Sequence, residues 1–177
     1  MTKTKLSVRD MCYCAIFTAL LAVCAQIRLP VYVTSITLQT FAIFLALFVL
    51  GGLRGSICVG LYLLLGAVGL PVFSGFRSGI AAFSMESGGF LIGFMLTSLV
   101  YWAVTSRIKP EKWGKILTLA IAMVPCYALG IHGMFRFFSR TVTWRDYFLE
   151  LAVFLVTDDI KCVLAWVISR RLRHIVK

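Results

Sequence analysis

Tyr147-Phe148-Leu149-Glu150-Leu151-Ala152-Val153-Phe154-Leu155-Val156-Thr157-Asp158-Asp159-Ile160-Lys161-Cys162-Val163-Leu164-Ala165-Trp166 is long and apolar enough to cross a bilayer, yet three ionisable residues interrupt it near its middle. Each would cost about 2.5 to 3.5 kcal/mol at a helix centre, so the span is viable only if they face one another or a polar cavity. At 100° per residue, Asp158 and Lys161 share one helix face, whereas Asp159 and Lys161 lie on nearly opposite faces. Asp158 and Lys161 are therefore the expected inward pair, and Asp159 is expected to turn toward external water. Simple neutralisation within the helix is the plainer explanation of the pair. Buried ionic groups seldom gain stability over apolar replacements, however, so a bound molecule explains their presence better.

The rest of the chain matches this segment. Of its 177 residues 60% are hydrophobic and only 14% charged, and the mean hydropathy is +0.94. A water-soluble domain has no interior for so much apolar surface, which excludes a soluble enzyme, a disordered tail and a nucleic-acid module. Apolar runs at about 11–27, 36–53, 55–73, 88–105, 115–135 and 147–170 predict an all-α polytopic membrane protein: one domain over 1–177, with six transmembrane helices and short loops. The first run, after Lys3, Lys5 and Arg9, is read as the first helix of this bundle rather than as a cleaved leader.

Eighteen Lys and Arg against seven Asp and Glu give a net charge of +11. In a membrane chain such an excess marks the cytoplasmic side. With six spans both termini share a side, and that side carries Lys3, Lys5, Arg9, Arg54, Arg107, Lys109, Lys112, Lys115, Arg170, Arg171, Arg173 and Lys177. The other side carries Arg28, Arg77, Arg136, Arg140 and Arg145. Both termini are thus expected to be cytoplasmic, with segments 28–36, 74–87 and 136–146 outside. The six cysteines are scattered among apolar residues, so neither a metal site nor a disulfide framework is expected, and no cofactor.

The polar candidates in the external half are few. Thr37, Gln39 and Thr40 enter the second span, Arg77 and Ser78 follow the third, Ser87, Gly88 and Gly89 open the fourth, and Tyr127 lies in the fifth. Gln39 and Thr40 would also serve as helix caps, Arg77 as a solvated loop charge, and Gly88 and Gly89 as a close helix contact. Pro125 is expected to kink the fifth span. Phe41, Phe44, Phe48, Phe83, Phe90 and Phe94 read as lipid-facing or core residues, of which one or two wall a pocket. Small residues four apart, Ala15 and Ala19, Gly51 and Gly55, Gly89 and Gly93, mark faces where helices approach closely.

The strings Ile36-Thr37-Leu38-Gln39-Thr40 and Leu61-Tyr62-Leu63-Leu64-Leu65-Gly66-Ala67-Val68-Gly69-Leu70-Pro71-Val72-Phe73, with Ser87-Gly88-Gly89-Phe90, Tyr127-x-x-Gly130 and Asp158-x-x-Lys161, resemble the BioY family. Its members are biotin-binding S components of energy-coupling-factor transporters. The resemblance spans nearly the whole chain. It implies a six-helix bundle in the prokaryotic plasma or inner membrane, with a vitamin pocket near the outer face. It also implies a pocket role for Asp158, Lys161 and the region from Arg77 to Gly89. Ala15 and Ala19 would then dock on a transmembrane coupling subunit, itself served by an ATPase module. Two strings depart from the family: Met85-Glu86-Ser87-Gly88-Gly89-Phe90 replaces G-P-T-G-G-Y, and Val153-Phe154-Leu155-Val156-Thr157-Asp158 replaces P-F-L-P-G-D.

Biotin offers two ureido N–H donors, one carbonyl acceptor, an apolar ring and tail, and a carboxylate. On this reading Asp158 accepts a ureido N–H, Lys161 balances Asp158 or donates to a ligand oxygen, Gln39 or Ser78 completes the polar set, and Arg77 holds the carboxylate at the mouth. Ser87, Gly88 and Tyr127 complete the candidate binding residues. No G-x-x-x-x-G-K-[ST] loop occurs, so concentrative transport would need either an ATPase module with a membrane coupling subunit or an ion gradient. An S component for another vitamin and a non-transport membrane assembly subunit remain as alternatives. A membrane enzyme using Asp158 and Asp159 as a catalytic pair is disfavoured, because adjacent side chains diverge by about 100° on a helix.

Overall fold

The computed structural model describes residues 7–30, 35–108, 110–138 and 143–176. Six helices dominate: α1 (Val8–Gln26), α2 (Gln39–Leu50), α3 (Gly52–Val68), α4 (Gly88–Ile108), α5 (Lys112–Phe138) and α6 (Trp144–Val176). The all-α expectation missed one feature. Arg28–Pro30 (β1) and Ser35–Thr37 (β2) pair antiparallel in a small hairpin between α1 and α2. Strands of three residues are too short to leave a readable alternation in sequence. Of the basic residues used to orient the chain, Lys3, Lys5, Lys109, Arg140 and Lys177 lie outside the described residues.

Among the described residues three helices, α1, α4 and α5, are long and apolar enough to cross a membrane. α2 and α3 are apolar but have only 12 and 17 residues, and α6 has 33. The shortness of α2 is explained by its place. Every residue of α2 except Phe41 is buried, and α1, α3, α4 and α6 surround it. A helix apolar on all sides is a core helix. Helices α1, α5 and α6 instead expose large apolar side chains, among them Ile16, Val23, Leu117, Ile121, Val156, Ile160 and Val163.

Glycines let these helices approach. A Cβ on Gly89 would lie 2.0 Å from the Leu129 carbonyl oxygen, and one on Gly93 would lie 2.7 Å from Cys126, so α4 packs directly on the backbone of α5. Gly55 sits equally close to Leu47 of α2. α5 runs through Pro125 without interruption. Gly69, at φ +117°, ends α3 in the left-handed conformation and returns its N–H to the Gly66 and Leu65 carbonyls, with Pro71 just beyond.

The two ends of the bundle differ. Where α2 meets α3, Asp10 of α1 pairs with Arg54 at 3.0 Å, and the Arg173 guanidinium of α6 donates to the Phe48 carbonyl from both Nε and Nη2. The start of α1 and the end of α6 therefore lie together at that end. The hairpin, the 70–87 connection with its 3-10 turn Ile80–Ser84, and the starts of α2, α4 and α6 form the other.

Candidate binding cavity

At this second end the structure forms a cavity of about 270 Å³. Asp158, which is 4% exposed, is part of its lining. Its Oδ1 accepts from Lys161 Nζ at 2.9 Å and from Thr40 Oγ1 at 2.7 Å, and its Oδ2 accepts from Tyr127 OH at 3.0 Å. Lys161 also donates to Thr40 Oγ1 at 3.1 Å. The helical spacing of three places Asp158 and Lys161 together, while α2 and α5 bring Thr40 and Tyr127 to them. Asp159 turns away. It is exposed and lines a second hollow of about 200 Å³ among α2, α5 and α6, rather than facing the cavity as its neighbour does.

Hydrogen-bond valence shows what this cluster can still do. A carboxylate has about four lone-pair sites and an ammonium three N–H donors. Within the described residues three of the former and two of the latter are used, which leaves one acceptor site on Oδ2 and one N–H on Lys161 in the same ion pair. A planar ligand edge carrying a donor next to an acceptor satisfies both.

A second set of bonds shapes the wall. Gln39 Nε2 donates to Tyr62 OH at 3.1 Å, and Tyr62 OH donates to the Val72 carbonyl at 3.2 Å. Gln26 Nε2 binds the Val72 and Phe73 carbonyls, and its Oε1 accepts from Phe76 N–H. These bonds tie α1, α2 and α3 to the connection after α3. Phe73 then turns inward, edge-on to Tyr62 and Phe83, over the face of Gly66 that a Cβ would fill. Phe90 and Phe154, with ring centres 5.3 Å apart, and Phe94 give the cavity its aromatic walls.

The hairpin forms one side of the mouth. Arg28 pairs with Thr37 and Pro30 with Ser35, and these four residues line the cavity, while Leu29 and Ile36 between them take the opposite face. Across from the hairpin, Arg77 and Glu86 form an ion pair at 2.5 Å beside Ser87.

Of the eight residues singled out from the sequence, Asp158, Lys161, Gln39, Arg77, Ser87 and Tyr127 line this cavity, and Ser78 and Gly88 do not. Ser78 follows the isolated bridge between Phe73 and Arg77 and lies outside the lining. Gly88 is closed off by packing, since a Cβ there would stand 1.9 Å from the Phe83 carbonyl oxygen. Ala15 and Ala19 lie elsewhere, exposed along a shallow groove between α1 and α3. Thr40 proves central rather than a mere cap. Arg28, Ser35, Glu86, Phe73 and Phe154 were not singled out; the alternation of Arg28 with Pro30 was the one available signal, and it is too brief to read.

The whole chain, residues 1–177, matches the model of the BioY family. A Thermotoga maritima protein named biotin transporter BioY is 34% identical over 94% of this chain and 97% of its own length. A Pyrococcus horikoshii protein named probable biotin transporter BioY is 31% identical over 90% and 93%. Among solved structures, the S-component for biotin from an ECF-type ABC transporter superposes with a TM-score of 0.82 at 26% identity, over 98% of this chain and 95% of that one. With these six helices and this match from end to end, the chain is a member of the BioY family, a family of transport proteins rather than enzymes.

Proposed function

We propose that this chain is the substrate-binding membrane subunit of a biotin importer. The observation that carries the reading is an unused acceptor on Asp158 and an unused donor on Lys161, paired with each other in the lining of the cavity. A ureido ring presents an N–H next to a C=O in one plane. Asp158 accepts that N–H and Lys161 donates to the carbonyl, while Phe90, Phe94 and Phe154 cover the apolar ring and tail. Gln39 holds the Tyr62 side of the wall, and Tyr127 and Thr40 orient the carboxylate. Ser87 adds a hydroxyl near the mouth.

The chain is a single membrane domain crossing the prokaryotic cell membrane six times, over about 11–27, 36–53, 55–73, 88–105, 115–135 and 147–170. Its termini are cytoplasmic. The basic side of the sequence and the meeting of both terminal segments at the end away from the cavity support this orientation. The cavity then opens outward. The groove beside Ala15 and Ala19 docks a transmembrane coupling subunit, through which an ATPase module supplies energy.

Equilibrium binding of biotin to the purified chain, with competition by a panel of other vitamins, tests this function. Saturable biotin binding that the other vitamins leave intact is the expected result. Displacement of biotin by an unrelated vitamin at equal concentration would reassign the ligand.

A further inference from the structure

Among the described residues five charged side chains line the cavity: Arg28, Arg77 and Lys161 against Glu86 and Asp158. Both anions are already matched, Asp158 by Lys161 at 2.9 Å and Glu86 by Arg77 at 2.5 Å. One positive charge is left over. Among the described residues Arg28 has neither an ion pair nor a side-chain hydrogen bond, although it sits on the cavity face of the hairpin beside Thr37.

The loop opposite is shaped around this guanidinium. A Cβ on Gly75 would stand 2.7 Å from Arg28 Nη1. Gly75 also has φ +74°, a conformation that disfavours any side chain, so bare backbone lies against the guanidinium at the rim. An arginine held at the edge of a mostly apolar cavity, with its planar fork uncommitted, is suited to bind a carboxylate through two parallel N–H donors.

We propose that Arg28, not Arg77, is the residue that holds the ligand carboxylate and selects acids over their neutral derivatives. The assignment rests on the biotin reading above. Arg77 has the same chemistry, but its charge is committed to Glu86. Lys161 is committed to Asp158. The excess charge of the cavity is therefore located at Arg28, on the hairpin, and not at the Asp158–Lys161 pair.

The test compares biotin with its methyl ester, which keeps every group except the anion, on the purified full chain and its R28Q and R77Q variants. The wild-type chain should bind the acid at least about tenfold tighter than the ester, as expected for a charge-assisted bond. R28Q should bring that ratio to about one by weakening the acid alone. In R77Q the ratio should persist, whatever happens to the absolute affinities. An unchanged ratio in R28Q, or a ratio lost only in R77Q, overturns the assignment. So does a wild-type chain that binds acid and ester equally, which leaves the biotin reading standing. A wild-type chain that binds neither form defeats the biotin reading and Arg28 with it.

Discussion

Asp10 and Asp158 are buried to the same degree, 5% and 4% exposed, each in a helix of the same bundle and each facing a cation. Their surroundings differ. Asp10 sits in the first turn of α1, where it accepts from the Ser7 N–H at 3.1 Å in a capping box and from Arg54 at 3.0 Å, at the end where the terminal helices meet. Cap and ion pair account for it fully. Asp158 occupies the middle of a long helix, has no turn to cap, and collects donors from three helices beside an open cavity. Burial of a carboxylate is thus compatible with either a structural or a ligand-binding role. A hollow next to it and an unfilled hydrogen-bond site distinguish the two.

Substitution at the two aspartates should separate them. Asp158→Asn strands Lys161 and changes an acceptor into a mixed group, so biotin affinity should fall about a hundredfold or more in equilibrium dialysis. If affinity survived, Asp158 would belong with Asp10. Pairing that change with Lys161→Met removes both charges. Thermal stability of the double variant should recover toward that of the native chain while binding stays lost, because removing both charges leaves no stranded ion but also no carboxylate and no ammonium to read the ureido group. Recovery of binding along with stability would reduce the pair to a helix strut.

Smaller changes refine the contrast. Tyr127→Phe deletes one of the three bonds to Asp158 and should weaken biotin by about five- to tenfold, measured by isothermal titration. Asp10→Asn should leave biotin affinity unaltered and lower stability by about 1 kcal/mol in a melting experiment, since Arg54 is 42% exposed and contributes little beyond the cap. A binding defect in this last variant would mean that the two ends of the bundle communicate.

The same contrast governs what the sequence disclosed. Apolar runs alone mark the six helices, because lipid and a packed core both demand them. Asp158 and Lys161 stand out for the opposite reason, as charges where none should be stable. Thr40 and Tyr127 are visible only as polar residues in apolar spans; their convergence on Asp158, across sequence separations of 118 and 31, belongs to tertiary packing. Arg28 looks like any loop cation until the hairpin turns it over the cavity. Phe73 and Phe154 look like any membrane phenylalanine. Ser78 and Gly88 adjoin lining residues in sequence and still fall outside the cavity, Gly88 because it packs against the Phe83 backbone, a contact that only the folded chain reveals.

The most direct measurement pairs a change in the ligand with a change in the residue: titration of the native chain and of Asp158→Asn with biotin and with biotin methylated on its ureido nitrogens. The native chain should prefer the unmethylated ligand by about a hundredfold, and the variant should bind both with equal weakness, because the N–H and its acceptor have each been removed. A variant that still distinguished the two ligands as sharply as the native chain would contradict the account, since the ureido group would then be read somewhere other than Asp158.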